Sequence, residues 1–337
     1  MPRTTWRRVG ILASATVPAV CAYALMCTHS AHAEGVTMEK TAYGGWPNCY
    51  RVSNGTFELI VTTDVGPRII RLGFVGKDNM FKEYEDMMGK TGGDEWRIYG
   101  GHRLWHSPEA RPRTYDPDNS PVEAAWVDDG MVRVVQPTEP GTGIQKEMEI
   151  TLSGEGARAR ILHRLRNNGP WPAELAVWCL SVMDAGGTAI VPHPVKATPD
   201  RLLPNWTLTL WPYTDMNDER IDWGTKYMRL RQVAGSQPFK IGLSNNEGWG
   251  CYLNKGQMFL KKFRYVEGAT YPDWGCSMEL YTNADMLELE TVGPLTTLEP
   301  GEEVEHVELW YLFDNVELPV SEEDIERDIV PLVKQAR

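Results

Sequence analysis

Basic residues are scarce in this sequence. Its 337 residues include 34 Lys and Arg against 46 Asp and Glu, which gives a formal net charge of −12 at pH 7. An acidic surface repels the phosphate backbone of nucleic acids and the anionic headgroups of membranes. We therefore expect no nucleic-acid partner and no role on an anionic membrane surface.

Long apolar runs are also rare. The sequence has one, and it lies near the N-terminus. Residues 9–26 are rich in Ala and Val, follow a basic start with an Arg pair, and precede the small-x-small pattern Ala31-His32-Ala33. Signal peptidase cleaves after such a pattern. The segment predicts a signal peptide over 1–33, cleavage after Ala33, and one domain over 34–337. We expect a secreted or periplasmic protein, exported by the general or the twin-arginine route, with no membrane span in the mature chain.

Cysteines are few and form no metal-site pattern. The predicted mature chain holds Cys49, Cys179, Cys251 and Cys276, without a CxxC pair or zinc-type Cys/His spacing. We therefore expect neither a metal nor another cofactor. Four cysteines in an oxidising compartment permit two disulfides in three connectivities, and free buried thiols fit the spacing equally well.

Several catalytic motifs are missing. No GxSxG, Walker-type or GxGxxG element occurs in a supporting context, and no Ser/His/Asp set stands out. Hydrolysis by a nucleophilic serine is therefore disfavoured. Acid–base chemistry and ligand binding remain.

Helical periodicity is nearly absent, whereas short runs rich in Val, Ile, Thr, Tyr and Trp recur between Gly, Pro, Asn and Asp. Strands are predicted over 57–63, 68–74, 131–137, 145–152, 157–166, 175–183, 206–211, 239–243 and 258–265, and over two segments that carry Glu279 and Glu288 with Glu290. This pattern predicts an all-β fold of stacked sheets. One short helix is predicted at the C-terminus, where Ser321 can cap it and Pro331 shortens or kinks it.

Three glutamates, Glu279, Glu288 and Glu290, lie among apolar residues on the predicted strands near the C-terminus. Alternation along the strand that begins at Met286 puts Glu288 and Glu290 on one face. A carboxyl group held there is a candidate general base or acid. A solvated sheet face is the alternative, and pairing with Lys240 would decide which glutamate is free to act.

A long predicted loop over 81–125 is rich in aromatic and basic residues. Its paired glycines, Gly100 and Gly101, let a backbone approach a ligand closely. Trp and Tyr faces beside Arg and His donors are what a sugar ring with its hydroxyls requires. The candidates are His102, Arg103, Trp105, His106, Arg111 and Tyr115. Alternatively, these side chains only hold the loop onto the sheet through charged hydrogen bonds.

A second long loop, over 192–226, repeats the combination of aromatic and polar residues. Trp211 is either one wall of a carbohydrate groove or a core anchor, whereas Trp206 is expected in the core. On a separate strand, the arginines at 158, 160, 164 and 166 share one face and are expected to pair with acidic residues of a neighbouring strand. His163, on the other face, is predicted to be structural.

Several short motifs follow one another in a distinctive order. They are Gly66-Pro67-Arg68-Ile69, Asn79-Met80-Phe81, the run at 99–105, Asn167-Asn168-Gly169, the run at 186–192, and the ELE…GP…LEPGE segment. Their order resembles the galactose mutarotase-like superfamily, which includes the aldose 1-epimerases, and more closely its DUF4380-type bacterial branch. The resemblance implies a β-supersandwich with a short C-terminal helix.

The resemblance also implies a reaction. Family epimerases open and close a sugar ring with a C-terminal glutamate as base and a central histidine as acid. Glu279, Glu288 and Glu290 each match a family position for the glutamate. Residues 178–183 stand where the epimerases have the histidine and contain none, so His102 or His106 is the candidate acid.

The sequence thus predicts a carbohydrate-binding cleft for a mono- or oligosaccharide, lined by the first loop and the C-terminal glutamates. The expected binding residues are Arg68, Arg103, Trp105, Arg111, Tyr115, Trp211 and Lys240. Acid–base chemistry of the aldose 1-epimerase type is the leading hypothesis. The alternatives are a polysaccharide lyase or glycoside hydrolase on the same fold, and a non-catalytic sugar-binding module of the cell envelope. The oligomeric state is left open.

Overall fold

A computed structural model describes residues 35–128, 130–194 and 203–336. The predicted signal peptide and its cleavage site lie outside these residues, and so does part of the second long loop. Among the described residues, no helix is long and apolar enough to cross a membrane.

The described residues form 21 strands with short connections between most of them. The first eleven are β1 (Thr37–Tyr43), β2 (Trp46–Ser53), β3 (Phe57–Thr62), β4 (Arg68–Phe74), β5 (Gly101–Ser107), β6 (Glu123–Asp128), β7 (Met131–Val135), β8 (Ile144–Leu152), β9 (Arg158–Asn167), β10 (Ala173–Met183) and β11 (Thr188–Pro192). The others are β12 (Leu208–Leu210), β13 (Ile221–Asp222), β14 (Tyr227–Arg231), β15 (Phe239–Leu243), β16 (Trp249–Asn254), β17 (Gln257–Phe263), β18 (Met278–Thr282), β19 (Leu287–Val292), β20 (Thr296–Leu298) and β21 (Glu303–Asp314).

These strands build two antiparallel sheets, as the all-β prediction expected. The first sheet has the order β1-β2-β3-β4-β5-β10-β19-β18-β15-β12, with β20 paired to β10. The second has the order β13-β14-β11-β16-β17-β21-β9-β8-β7-β6. In the first sheet, β5, β10 and β19 come from distant parts of the chain and become neighbours, which brings the first long loop next to the C-terminal glutamates.

The inner faces of the two sheets share one apolar core. Val61 and Leu289 of the first sheet and Met148 and Ile161 of the second are completely buried in it. Each such side chain contributes roughly 1.5–3 kcal/mol when it leaves water. Because strand residues alternate between faces, the residues between these apolar positions in the first sheet point to its outer face.

The C-terminal helix is short, as predicted. The Ser321 hydroxyl and the Asp324 carboxylate form a capping box at its start, over Glu322–Asp324. A π-helical turn, Ile325–Ile329, follows, and Val330–Gln335 completes the helix. Buried side chains of Ile325, Ile329 and Val333 hold it against the second sheet.

Strand β5 corrects the sequence analysis, which treated this segment as loop. Its two faces both carry polar residues, so no apolar alternation marks it as a strand. Gly100 and Gly101 have φ angles of 103° and 70°. A Cβ atom on either would overlap a carbonyl oxygen, that of Lys82 or that of Ile69. The paired glycines therefore let backbone approach backbone, and not a ligand.

Arg164, in the arginine stripe on β9, has the structural role that the sequence predicted. Arg164 forms ion pairs with Glu147 and Glu149 of β8 and with Glu303 and Glu305 of β21. These contacts join three strands of the second sheet on its outer face.

The other structural predictions have mixed outcomes. Trp206 packs against the core, as expected. The four cysteines, Cys49, Cys179, Cys251 and Cys276, are all buried and unbridged, which corresponds to the free-thiol alternative.

Candidate functional site

The outer face of five adjacent strands, β5, β10, β19, β18 and β15, carries several of the residues that the sequence singled out. These strands lie side by side in the first sheet, in that order. Their outward side chains are Arg103 and Trp105, Trp178 and Leu180, Glu288 and Glu290, Glu279 and Tyr281, and Lys240. A mixed row of aromatic and charged groups therefore crosses the middle of this sheet.

A cleft of about 270 Å³ opens above this row. Its lining residues are Trp96, Ile98, Arg103, Trp105, Glu109, Tyr115, Trp178, Leu180, Tyr213, Lys240, Tyr281, Asn283, Met286 and Glu288. The walls come from the segments before and after β5, the segment after β12, and the β18–β19 turn. Five predicted site residues thus meet in one cleft, namely Arg103, Trp105, Tyr115, Lys240 and Glu288.

One wall of the cleft is a cluster of aromatic rings. The Trp105 ring centroid lies 5.0 Å from that of Trp96, 5.0 Å from that of Tyr115 and 5.4 Å from that of Trp178. At the rim, the Arg111 guanidinium lies 3.9 Å from the centre of the Tyr115 ring. Mutual packing of this kind fixes the rings in place and presents a rigid apolar surface.

Arg103 and Glu288 form a charged pair on the floor of the cleft. Arg103 Nη1 donates a 2.7 Å hydrogen bond to Glu288 Oε1. The guanidinium also stacks over Trp105, 4.4 Å from the ring centroid, and lies 5.4 Å from the centroid of Trp96. Charge-assisted pairing and stacking together hold both groups in one orientation.

A second charged group, Lys240 with Glu279 and Glu290, lies beside this pair. Lys240 Nζ is 2.7 Å from Glu279 Oε2 and 3.4 Å from Glu290 Oε2. Trp178 Nε1 donates a 2.8 Å hydrogen bond to Glu290 Oε2. The ammonium group lies between the rings of Trp178 and Trp211, 4.7 Å and 4.6 Å from their centroids. Of the three charged residues, only Lys240 reaches the cleft surface.

The protonation of this group follows from its burial. Burial raises the pKa of Glu279 well above its usual value, and Glu290 adds to the rise although Lys240 opposes it. Burial also raises the pKa of Glu290, against the opposing effect of Lys240. Burial works against the charge of Lys240, yet the two carboxyl groups keep its pKa well above normal. One ammonium therefore faces two buried carboxyl groups, each of which takes up a proton at a higher pH than an exposed glutamate does.

The candidate acids His102 and His106 lie on the opposite face of β5. His102 Nδ1 is 2.9 Å from Ser181 Oγ, and its Nε2 is 2.7 Å from His163 Nε2. His106 Nε2 is 3.3 Å from Glu139 Oε2. Burial lowers the pKa of both histidines, so both are neutral near pH 7. Because neighbouring strand residues point to opposite faces, Arg103 and Trp105 reach the cleft and the two histidines lie between the sheets.

Arg68, another predicted binding residue, is a structural anchor. Its guanidinium is completely buried, forms a 2.7 Å ion pair with Asp118, and donates hydrogen bonds to the carbonyl groups of Ile98 and Gly100. These contacts hold the segment before β5, which bears Trp96. Arg68 therefore shapes the cleft from behind and does not line it.

Sequence reasoning did not propose four of the aromatic lining residues, Trp96, Trp178, Tyr213 and Tyr281, as binding residues. Trp178 was noted only at the position of the missing histidine. The place of Trp178 in the cleft depends on the strand register that puts it opposite Trp105. The place of Tyr281 depends in the same way on the register that puts it opposite Glu288. Strand alternation alone could have indicated Tyr281, because it is two residues from Glu279.

Between the sheets, two groups of side chains have metal-ligand spacing. His102, His163 and Glu308 form one group, and Cys179, His306 and Glu308 form the other. However, Lys261 Nζ lies 2.9 Å from one Glu308 oxygen, and Trp310 Nε1 donates to the other at 2.8 Å. The shared carboxylate is thus already neutralised and hydrogen-bonded, so the residues present fit a proton network better than a cation site.

Solved structures with a similar fold come from several bacteria. A proposed aldose 1-epimerase from Klebsiella pneumoniae aligns over 89% of this chain and 87% of its own, with a TM-score of 0.54 and 11% identity. The fold is galactose mutarotase-like. The Slr1438 protein from Synechocystis aligns over 82% of this chain and all of its own, with a TM-score of 0.53 and 12% identity. A TPR-domain containing protein from Parabacteroides distasonis aligns over 81% of this chain and 49% of its own, with a TM-score of 0.52 and 13% identity.

The galactose mutarotase-like fold confirms the architecture that the motif order predicted. No protein-family model and no curated protein matches the chain. The DUF4380-type branch therefore stays a prediction. Identities of 11–13% establish the fold alone, so the function has to be argued from the cleft.

Proposed function

We propose that this protein binds a carbohydrate in the cleft on the outer face of the first sheet. The observation that supports this most directly is the combination of aromatic rings with fixed charged groups. Trp96 and Tyr115 offer partly exposed rings held in place by Trp105, and the Arg103–Glu288 pair offers a donor and an acceptor beside them. A sugar presents apolar C–H faces and a rim of hydroxyl groups, so it matches both kinds of surface.

The dimensions of the cleft favour a small polar ring. Its volume of about 270 Å³ lies below the ~300–1,000 Å³ typical of sites for drug-sized ligands. Glu288, Arg103 and Lys240 lie at its base, and Tyr213 and Glu109 stand at its more exposed side. This arrangement leaves room for one sugar unit, with hydroxyl partners below and a stacking surface at the side.

The arginines of the first loop do not favour a uronate ligand. Arg103 is paired with Glu288, and Arg111 stacks on Tyr115. Arg113 donates to the carbonyl group of Pro108. An anionic sugar would have to displace Glu288 from Arg103, which leaves that carboxylate without its partner. A neutral sugar is therefore the better match, and lyase action on uronates is the weaker hypothesis.

Acid–base chemistry of the aldose 1-epimerase type is the second candidate function. The observation in its favour is the Glu288 carboxylate, which lines the cleft together with Lys240. In such a reaction, Glu288 would accept the proton of the anomeric hydroxyl while a donor protonates the ring oxygen. Lys240 and Tyr281 are the donors on the same face, since His102 and His106 lie between the sheets.

The test is NMR of the protein with freshly dissolved aldoses, with anomer exchange and saturation transfer recorded on the same samples. Saturation transfer to at least one sugar is the result that the binding proposal expects. Tyr213→Ala removes a half-exposed ring from the cleft and should abolish the transfer. Tyr50→Ala, on β2 and outside the cleft, should not. The absence of transfer across the whole panel would refute the binding proposal.

Glu288→Gln separates binding from catalysis. The amide oxygen can still accept the hydrogen bond from Arg103, but the side chain can no longer accept a proton. If the wild type accelerates anomer exchange and Glu288→Gln does not, the epimerase hypothesis is supported with Glu288 as its general base. Binding without acceleration in the wild type identifies a non-catalytic sugar-binding protein.

A further inference from the structure

The segment Pro272–Gly275, which contacts Ser107 of β5 and Thr209 of β12, has an unusual backbone. Asp273 and Trp274 both have positive φ angles, 50° and 63°, although neither is glycine. Residues with side chains seldom adopt this conformation twice in succession, because Cβ approaches the backbone oxygen. Strained positions of this kind persist only where the surroundings hold them, and they concentrate at functional sites.

The surroundings do hold this segment, and they hold it between two parts of the cleft. The Asp273 carboxylate accepts a 3.5 Å hydrogen bond from Ser107, which follows Trp105 on the same face of β5. The Asp273 carbonyl accepts a 2.9 Å bond from Thr209, two residues before Trp211. Trp105 lines the cleft, and Trp211 stacks on Lys240. The segment therefore joins the edges of two elements that shape the cleft.

Cys276, the residue that follows this segment, packs against the floor of the site. Gly242 is packed tightly on this side: a Cβ atom on Gly242 would lie 2.5 Å from Cys276 Sγ and 3.2 Å from the Trp211 ring. Gly242 is directly opposite Glu279 in the sheet. Asp273 is close enough to Glu279 to contribute to its raised pKa, after burial and Glu290. The position of the segment beside the cleft is thus fixed from below as well as from the sides.

Trp274 itself projects away from these contacts. It is 88% exposed, the highest exposure among the large apolar side chains in the described part of the chain. Exposing a full indole ring forgoes the burial that Trp normally has. Here a strained and well-anchored backbone presents the ring on the side of the first sheet that bears the cleft.

We infer that Trp274 is the stacking platform of a second sugar subsite, so that the ligand is a neutral oligosaccharide of two or more units. The inference rests on the proposed sugar-binding function of the cleft. The carboxylates of Asp273 and Glu109 flank this edge, which favours a neutral second unit over a uronate. The cleft holds one unit among its buried charges, and the next unit lies against the indole of Trp274.

The experiment compares monosaccharides with their disaccharides by calorimetry on the full-length protein. The probes are glucose with maltose and cellobiose, N-acetylglucosamine with diacetylchitobiose, and galacturonate with digalacturonate. At least one neutral disaccharide should bind about tenfold more tightly than its monosaccharide. Trp274→Ala should remove that gain and leave monosaccharide affinity unchanged, whereas Trp274→Tyr should keep part of it.

Trp171→Ala is the matched control, because this indole is 76% exposed but lies on the turn between β9 and β10, outside the cleft. It should retain the full preference for the disaccharide. A second readout is the indole N–H resonance of Trp274, assigned with Trp274→Tyr, which should shift with the disaccharide and not with the monosaccharide.

The outcomes separate the two proposals. If monosaccharides bind but no disaccharide binds more tightly, or if Trp274→Ala behaves like Trp171→Ala, the second subsite is refuted and the sugar-binding cleft stands. If digalacturonate binds more tightly than every neutral disaccharide, the neutral ligand is refuted. If no sugar binds at all, both proposals fall.

Discussion

Glu279 lies directly opposite Glu290 on neighbouring antiparallel strands, with both carboxyl groups completely buried. Like charges in this position repel, and they are tolerated here because Lys240 contacts both carboxyl groups. Among the described residues, no hydrogen bond reaches Glu279 Oε1 or Glu290 Oε1. The ammonium group is therefore the main compensation for two acidic groups below the floor of the cleft.

Replacing Lys240 with Met should destabilise the protein by about 3–5 kcal/mol at pH 7, because it leaves the buried carboxyl groups without their cation. Urea denaturation measures the change. The loss of stability should shrink as the pH is lowered. Carboxyl groups with a raised pKa in the folded state favour folding at low pH, and this contribution disappears as the pH rises through the folded pKa. Adding Glu279→Gln and Glu290→Gln should restore part of the stability.

Lys255→Met is the control for this variant. Lys255 forms a 2.8 Å ion pair with Asp184, but the pair is exposed to solvent. Its removal should change the free energy of unfolding by less than about 1 kcal/mol. Equal losses for the two variants would mean that the buried carboxyl groups do not depend on Lys240.

Replacing Trp178 with Phe should destabilise the protein by more than its packing alone predicts. The change removes the indole N–H that donates to Glu290, and hydrogen bonds to charged groups contribute about 1.5–3 kcal/mol. Trp46→Phe is the comparison, because Trp46 is equally large and buried but donates to the neutral carbonyl group of Lys90. Denaturation at pH 7 should show the larger loss for Trp178→Phe, and the reverse order would contradict the charged acceptor.

Gly101→Ala should destabilise β5 strongly. The new Cβ would overlap the Ile69 carbonyl oxygen and lie 2.8 Å from Ile70 Cα, on a backbone with φ of +70°. We expect a loss of about 3 kcal/mol or more, together with weaker sugar binding. Gly76→Ala has a similar φ of +78° but nothing within 4 Å, so it should lose only about 1 kcal/mol. Comparable melting temperatures for the two variants would show that the close approach to β4 is not required.

The histidines between the sheets should make the protein sensitive to acid. Burial lowers the pKa of His163 and His306 to about 4. Unfolded histidine titrates near ~6.5, so the unfolded chain binds more protons and stability should fall as the pH drops from about 6.5 through about 4. The expected loss is on the order of 3 kcal/mol for each histidine.

The buried glutamates have the opposite pH dependence, so the histidine effect is measured as a difference. Urea midpoints of the wild type and of His306→Gln, recorded from pH 7 to pH 4.5, should converge as the pH falls. Parallel profiles would show that folding does not lower the pKa of His306.

The sequence was sufficient to predict the class of the fold and eleven of the 21 described strands, because an apolar face on a strand leaves a clear alternation. Glu288 and Glu290 fell on one face for the same reason. The central strand β5 was not predicted because both of its faces are buried and both carry polar residues. On one face His102 contacts another histidine, and on the other Arg103 pairs with a carboxylate. A local sequence pattern cannot reveal these partners, because they are distant in the sequence.

The candidate site could be predicted only in part. Arg103, Trp105 and Tyr115 were expected in one cleft with Glu288 because the motif order resembles a known fold. Which face of β5 each residue occupies depends on its pairing with β10, and that is a long-range property. The histidines were grouped with the arginine and the tryptophan because a loop was assumed, whereas a strand separates alternate residues.

The consequence of this alternation is that one strand serves two chemically different environments with interleaved residues. A one-residue insertion near the start of β5 would exchange them, so that a guanidinium would lie between the sheets and an imidazole would enter the cleft. Such an exchange would prevent folding, because it would place a charged guanidinium without its carboxylate partner between the sheets. The cleft can therefore diversify through point substitutions at alternate positions of β5, whereas a change in its length would remove the scaffold itself.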